Sequence, residues 1–202
     1  MFIIGITGGI GCGKSEAAAA CREYGLDVID ADEISKNVTS SHGAAMPEIE
    51  EVFGKKAISE DGSLNRKAMS DIVFKNRKTL DLLSSIIHKY VIEEMRRQVD
   101  FYKNKKSKAI VLDVPIPVKN GFVDLCDQIW VVWADDDIRI RRLNNRGMTT
   151  KDAARRIMSQ MTKEQYQALA TRVILNNGTL ESLHQDVHQI LDEELHLRGI
   201  KY

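Results

Sequence analysis

The sequence predicts an α/β fold in which helices cover both faces of a parallel five-stranded sheet. Short apolar, β-branched runs recur at Phe2–Thr7, Leu26–Ile29, Ala109–Val114, Gln128–Ala134 and Arg172–Leu175, with helical stretches between them. A glycine-rich loop joins the first run to the first helical stretch. Hydrophobic residues make up 43% and charged residues 29%, with three prolines, which fits a packed globular chain better than a disordered or membrane-embedded one. At 202 residues, one core with insertions is expected rather than two independent domains.

Phe2–Thr7 has no polar alternation and reads as a buried strand. Ser15–Tyr24 follows as a helix through the alanines 17–20, and Gly25 marks its end. Leu26–Ile29, ending at Asp30, then completes a βαβ unit with a right-handed crossover. From Ala31 to Tyr102 the pattern is mostly helical. Ile72, Val73, Leu80, Leu83, Ile86, Ile87, Val91 and Met95 fall at three-and-four spacing, which marks a helical insertion. Lys103–Lys108 is a polar break before the strand Ala109–Val114, which Pro115 and Pro117 close. After the fourth strand, Asp135–Arg146 reads as a charged helix, and another begins near Thr149, where Thr149 and Asp152 have capping-box spacing. The strand Arg172–Leu175 and an amphipathic helix over Thr179–Leu195 complete the pattern.

Lys plus Arg equal Asp plus Glu at 29 each, so the net charge calls for neither a nucleic acid nor a membrane partner. Cys12, Cys21 and Cys126 are odd in number and lack CxxC spacing, which supports neither a disulfide framework nor a zinc site. The apolar opening is too short for a secretory leader and no run reaches transmembrane length, so a cytoplasmic protein is expected.

Gly8-Gly9-Ile10-Gly11-Cys12-Gly13-Lys14-Ser15 is a full Walker A match in the strand-to-helix context the motif requires. The glycines let the backbone wrap phosphate oxygens, and the helix N-terminus adds partial positive charge. Lys14 is expected at the β- and γ-phosphates of ATP and the Ser15 hydroxyl on Mg²⁺, with Cys12 a small spacer in the loop. The motif defines a phosphate-binding kinase or nucleotide switch.

Asp30-Ala31-Asp32 follows the second strand, where ligands of open α/β sheets bind. One carboxylate can take the proton of an attacking hydroxyl while the other helps hold Mg²⁺ or its water shell. A helix N-cap explains the same residues, and spacing leaves both readings open. Arg139, Arg141, Arg142 and Arg146 cluster on one charged helix, with Arg142 and Arg146 sharing a face, as expected of arginines that close over ATP. A solvated face paired with Asp135, Asp136 and Asp137 is the competing reading. Asp113 ends its strand as a Walker B carboxylate does, a weak signal; Arg66 and His88 lie in the helical insertion and are candidates to bind an anionic acceptor, while a lone helical histidine is as readily a surface or packing residue, and spacing does not decide.

These residues together resemble the dephospho-coenzyme A kinase family. The resemblance rests on Ile6–Ser15, Val28–Asp32, Gly62-Ser63-Leu64-Asn65-Arg66, Val73-Phe74, His88 with Val91, and Val111–Pro115. The Arg142 and Arg146 pair, Gln160 and Val173–Gly178 continue it nearly to the C-terminus. It implies a nucleoside-monophosphate-kinase-like fold with core segments 1–30, 105–138 and 168–202, an acceptor-binding insertion over 31–104 and a lid over 139–167. The implied reaction is ATP-dependent phosphorylation of the ribose 3′-hydroxyl of dephospho-coenzyme A by a monomer or weak homo-oligomer. Asp32 is the implied base, and Lys14 and Arg142 the implied catalytic cations. The implied ATP contacts are Gly8, Gly9, Gly11, Cys12, Gly13, Lys14, Ser15, Arg142, Arg146 and Asn176, with Asn176 near the adenine. Asp32, Arg66 and His88 are implied for the acceptor, and Ser15 for Mg²⁺ with Asp30 or Asp32 through water. Lys89, Lys119 and Thr171 depart from the family pattern in regions expected to shape the pockets. The alternatives are a P-loop kinase with another nucleoside or nucleotide acceptor, and a nucleotide-switch binding protein.

Overall fold

Every residue of β1 (Phe2–Thr7) is buried, because the strand has a parallel neighbour on each side. These neighbours are β3 (Ala109–Asp113) and β4 (Gln128–Trp133). A central parallel strand has no wet face, hence the unbroken apolar run. β2 (Asp27–Asp30) adds to β3 and β5 (Arg172–Leu175) to β4, giving the order β2-β3-β1-β4-β5 with all pairs parallel. In this computed structural model the described residues are 1–73 and 76–201, with 71–73 and 77 described by backbone alone. Phe74 and the side chains of Ile72 and Val73, singled out in the sequence, lie outside them.

Helices α1 (Lys14–Glu23) and α9 (Leu180–Leu197) cover one face of the sheet. Leu183, Val187, Leu191 and Leu195 of α9 bury against Ile4, Ile6, Val111, Trp130 and Val132, each worth about 1.5–3 kcal/mol on leaving water. On the other face, α8 (Lys163–Leu169) sets Tyr166 against Trp133, ring centroids 5.9 Å apart. Phe122, in the turn 119–123, fills the space a Cβ at Gly5 would need. Between β4 and α8 lie α6 (Asp136–Asn145) and α7 (Thr150–Met158), joined through Leu143, Ala153 and Ile157.

The expected cap at Thr149 is present: its oxygen accepts from the Asp152 N–H at 3.1 Å. The full reciprocal capping box lies elsewhere, at Thr162 and Gln165 on α8, a helix the periodicity did not reveal. A seven-residue helix is too short to register a 3.6-residue repeat.

The chain divides into two compact units, Met1–Asp30 with Tyr102–Tyr202, and Ala31–Phe101. The second carries α2 (Ala31–Val38), α3 (Met46–Phe53) and α4 (Arg66–Val73), together with most of α5 (Arg77–Asn104). α5 continues through Lys103 to Asn104, into the expected polar break. Lys89 Nζ on α5 reaches Glu48 Oε2 on α3 at 2.8 Å, and the Tyr90 hydroxyl donates to the same oxygen at 2.9 Å. These bonds hold the Glu48 carboxyl below its usual range and raise the Lys89 ammonium. One of the three departures from the family pattern is thereby an ion pair between two helices of this unit.

Candidate functional site

β1 ends at Thr7 and α1 begins at Lys14, so the six intervening residues form a loop over the carboxyl edge of the sheet. Gly8 is required by close approach, since a Cβ there would lie 2.4 Å from the Val132 carbonyl oxygen. Gly13 combines φ +95° with contact to Asn176, whose amide nitrogen would be 2.1 Å from an added Cβ. Cys12 N–H donates to the Gly9 carbonyl at 3.1 Å and closes the turn. Gly13 caps α1 without a side chain. The backbone N–H groups of Gly11, Gly13, Lys14 and Ser15 have no hydrogen-bond partner among the described residues. Together with the helix N-terminus they form an anion cradle. A cavity of about 240 Å³ opens there, lined in part by Gly9, Gly11, Lys14, Ser15 and Arg146.

Lys14 forms an ion pair with Asp113, whose side chain is 2% exposed. Asp113 lies beside Ile6 in register and Asp30 lies beside Asp113, so one sheet edge carries both carboxylates next to the loop. Asp30 sits 3.9 Å from Arg22. Ser15 is exposed at the start of α1. A hydroxyl in the first turn with carboxylates at the neighbouring strand ends is a donor set that suits Mg²⁺, which keeps several waters and takes few protein ligands. The Cys12 thiol is buried and burial pushes its pKa up, in keeping with its role as a spacer.

The arginines of α6 separate into different roles. Arg142 donates through Nη1 to the Gly11 carbonyl at 3.3 Å and through Nη2 to Asn176 Oδ1 at 3.1 Å. Arg146, exposed at the C-terminal cap of α6, lines the cavity at the loop. Arg139, expected on the charged face, is instead buried at 2% exposure beneath the loop. Its Nε donates to the Ile10 carbonyl at 2.9 Å and its Nη1 to Asp136 at 3.0 Å. The guanidinium lies 4.9 Å from the centre of the Trp133 ring. Its partners at the sheet end, Ile10 and Trp133, take the place of solvent.

Asn176 is also buried, and its Nδ2 donates to the Cys12 carbonyl at 2.8 Å. Its amide is engaged by the loop and by Arg142. Gln160 follows α7 and accepts the Ile10 N–H at 2.7 Å.

In the helical unit, Asp32 stands exposed on the first turn of α2 and lines an open cavity with Ser35, Lys36 and Arg66. Arg66 Nη2 donates to Thr39 at 3.1 Å. The pair Asp32 and Arg66 is thus brought together, while His88 is exposed on α5. Thr171, expected to touch a pocket, sits before β5 at the amino edge of the sheet, opposite the loop. Its N–H donates to the Ile129 carbonyl at 2.8 Å and its Oγ1 accepts the Ile129 N–H at 3.0 Å, extending the ladder. Lys119 is exposed in the turn 119–123. Sequence reasoning under-weighted Asp113 and left Gln160 without a role. A Walker B position in register with β1 pointed to the first, but no local signal marked the second.

A five-stranded parallel sheet with this loop, its lysine and its arginines defines a P-loop phosphotransferase. The family model described as Dephospho-CoA kinase matches residues 2–182. The chain belongs to the dephospho-CoA kinase family. The dephospho-CoA kinase of Shouchella clausii is 34% identical over 194 residues, covering 96% of this chain and 98% of its own. That of Carboxydothermus hydrogenoformans is 36% identical over 192 residues, covering 95% and 93%. A crystal structure of a Thermus thermophilus protein superposes with a TM-score of 0.74 at 28% identity, over 95% of this chain and 97% of that one. Likeness in fold extends to a shikimate kinase of Bacteroides thetaiotaomicron, with a TM-score of 0.53 at 17% identity over 96% and 98% of the two chains.

Proposed function

We propose that this protein transfers the γ-phosphoryl group of ATP to the ribose 3′-hydroxyl of dephospho-coenzyme A, giving coenzyme A and ADP. The observation that carries this reading is the cradle of N–H groups at Gly11, Gly13, Lys14 and Ser15 that have no hydrogen-bond partner among the described residues, with Arg142 on the Gly11 carbonyl and Arg146 on the cavity wall, in a chain of the dephospho-CoA kinase family. The loop and the helix terminus bind and orient the triphosphate. Lys14 exchanges its contact with Asp113 for the β- and γ-oxygens. Arg142 and Arg146, on the segment 139–167 that serves as a lid, neutralise the charge that develops on the transferring group. Asp32 accepts the proton of the 3′-hydroxyl as its oxygen attacks phosphorus and the bond to the ADP oxygen breaks. Arg66 and His88, in the insertion 31–104, bind the acceptor. The Ser15 hydroxyl, with Asp30 or Asp32 through water, would hold Mg²⁺, which would supply positive charge to the phosphate oxygens. Closure of the lid excludes water and suppresses hydrolysis of ATP. Balanced charge supports an enzyme acting on a small molecule without a nucleic-acid or membrane partner, and three cysteines without CxxC spacing support a reducing, cytoplasmic compartment; we take the protein to be a monomer or weak homo-oligomer.

The test is a coupled assay of ADP release with ATP and Mg²⁺, with and without dephospho-coenzyme A, with the product identified by mass. Acceptor-dependent ADP together with coenzyme A is the expected result. ADP formed only with another nucleoside or nucleotide would change the acceptor, and no acceptor-dependent ADP with any compound would leave a nucleotide switch.

A further inference from the structure

Ile10 is the one residue of the phosphate loop whose two backbone polar groups are both held by side chains among the described residues. Its N–H donates to Gln160 Oε1 at 2.7 Å and its carbonyl accepts from Arg139 Nε at 2.9 Å. The two holding groups meet each other, with Arg139 Nη2 3.4 Å from Gln160 Oε1. Arg139 is fixed in turn by Asp136 on Nη1 at 3.0 Å and by the Trp133 ring 4.9 Å from its guanidinium carbon.

We infer that Arg139 and Gln160 are positioning residues that fix the peptide planes on both sides of Ile10 and so set the shape of the phosphate cradle. The inference rests on reading the loop as a nucleotide site. A loop with glycines at 8, 9, 11 and 13 has more backbone freedom than any other segment of this chain, and binding must remove that freedom before the N–H groups converge on phosphate. Holding both polar groups of one central residue removes two rotations at once. The clamp also gives Gly9 a second reason to lack a side chain, since a Cβ there would fall 2.5 Å from Arg139 Nη2. Both clamping residues come from the segment 139–167, which also carries Arg142 and Arg146. The position of that segment and the shape of the cradle are therefore mechanically linked. A change in the segment that withdraws Gln160 frees the Ile10 N–H toward the loop interior. A change that keeps Gln160 in place preserves the cradle seen here.

The clamp predicts a split between the two substrates. It acts on the two peptide planes of the phosphate loop, so losing it weakens nucleotide binding and leaves acceptor binding unchanged. The half-buried Gln160 is the better probe, because its truncation leaves no large cavity. ADP affinity of the full chain is measured by quenching of tryptophan fluorescence, alongside the KM values for ATP and dephospho-coenzyme A and the melting temperature. Gln160→Ala should weaken ADP binding and raise the KM for ATP by about tenfold, the worth of one well-formed hydrogen bond, with the KM for the acceptor unchanged. In a double-mutant cycle, Arg139→Gln and Gln160→Ala should cost less together than the sum of the two alone. Unchanged ADP affinity in Gln160→Ala, an equal rise in both KM values, or full additivity of Arg139→Gln and Gln160→Ala would each overturn the inference. Failure of the wild-type chain to bind ADP would instead refute the nucleotide reading of the loop.

Discussion

The ammonium of Lys14 is seated on the carboxylate of Asp113, joining the lysine of the Walker motif to the last residue of β3 across 99 positions of sequence. The side chains are 11% and 2% exposed, so the lysine rests on a partner that water hardly reaches. Lys14→Met should abolish turnover, with a loss of about 10² to 10³ in kcat. It should also lower stability by something on the order of 3 kcal/mol, because the buried carboxylate loses its cation. Adding Asp113→Asn should recover the melting temperature without recovering activity. Thermal denaturation and the ADP-release assay separate the two effects.

Asp32 lies on the first turn of α2 in the helical unit. If it takes the acceptor proton, Asp32→Asn should lower kcat by about 10² to 10⁴ while ADP affinity stays at the wild-type value. Steady-state kinetics beside an ADP titration check this, and wild-type turnover in the variant would remove Asp32 from the role of base.

Asn176 supports the loop through the Cys12 carbonyl at 2.8 Å and holds Arg142 at 3.1 Å. Asn176→Ala should cost about 1–3 kcal/mol, since it leaves a buried carbonyl without its donor. The KM for ATP and that for GTP should rise by the same factor. A change in their ratio would mean that Asn176 reads the base instead.

Glu194 on α9 is 5% exposed and accepts from Gln128 at 2.7 Å, Arg172 at 2.7 Å and Arg198 at 2.6 Å. Burial acts to raise its pKa, but the hydrogen bonds from Arg172, Gln128 and Arg198 outweigh it and hold the carboxyl below its usual range. A folded-state pKa lower than the unfolded value stabilises the protein above the unfolded pKa of about 4.3. That contribution is lost as pH falls through the folded value. The stability advantage of the wild type over Glu194→Gln should therefore be flat at neutral pH and shrink in acid. Urea unfolding at a series of pH values measures it.

Thr171 accepts the Ile129 N–H at the amino edge of the sheet. Thr171→Ala should cost about 1 kcal/mol in stability and leave kcat and both KM values unchanged, because the phosphate loop lies at the opposite edge. Thr171→Asp keeps an acceptor oxygen and should retain most of that stability. Altered KM values with intact stability would return Thr171 to the pocket.

The sequence by itself determined the five strands, the Walker loop and the face shared by Arg142 and Arg146, because each is written in residues that are neighbours along the chain. Apolar runs mark strands buried on both faces, glycine spacing marks a loop that must wrap an anion, and a four-residue step marks one side of a helix. Only the tertiary structure decided that Arg139 is a buried support while Arg142, three residues on, reaches the loop carbonyl. Composition gave the two the same charge, and what separates them is which partner each meets: Trp133 and Ile10 for one, Gly11 and Asn176 for the other. Asp113 was legible only as a weak Walker B signal and Gln160 only as part of the family resemblance, and the partners of both stayed out of reach for the same reason, since they lie 99 and 150 positions away. A hydrogen bond between residues so distant leaves no periodic trace in the sequence, and it exists only once the parallel sheet has brought the strand ends to one edge.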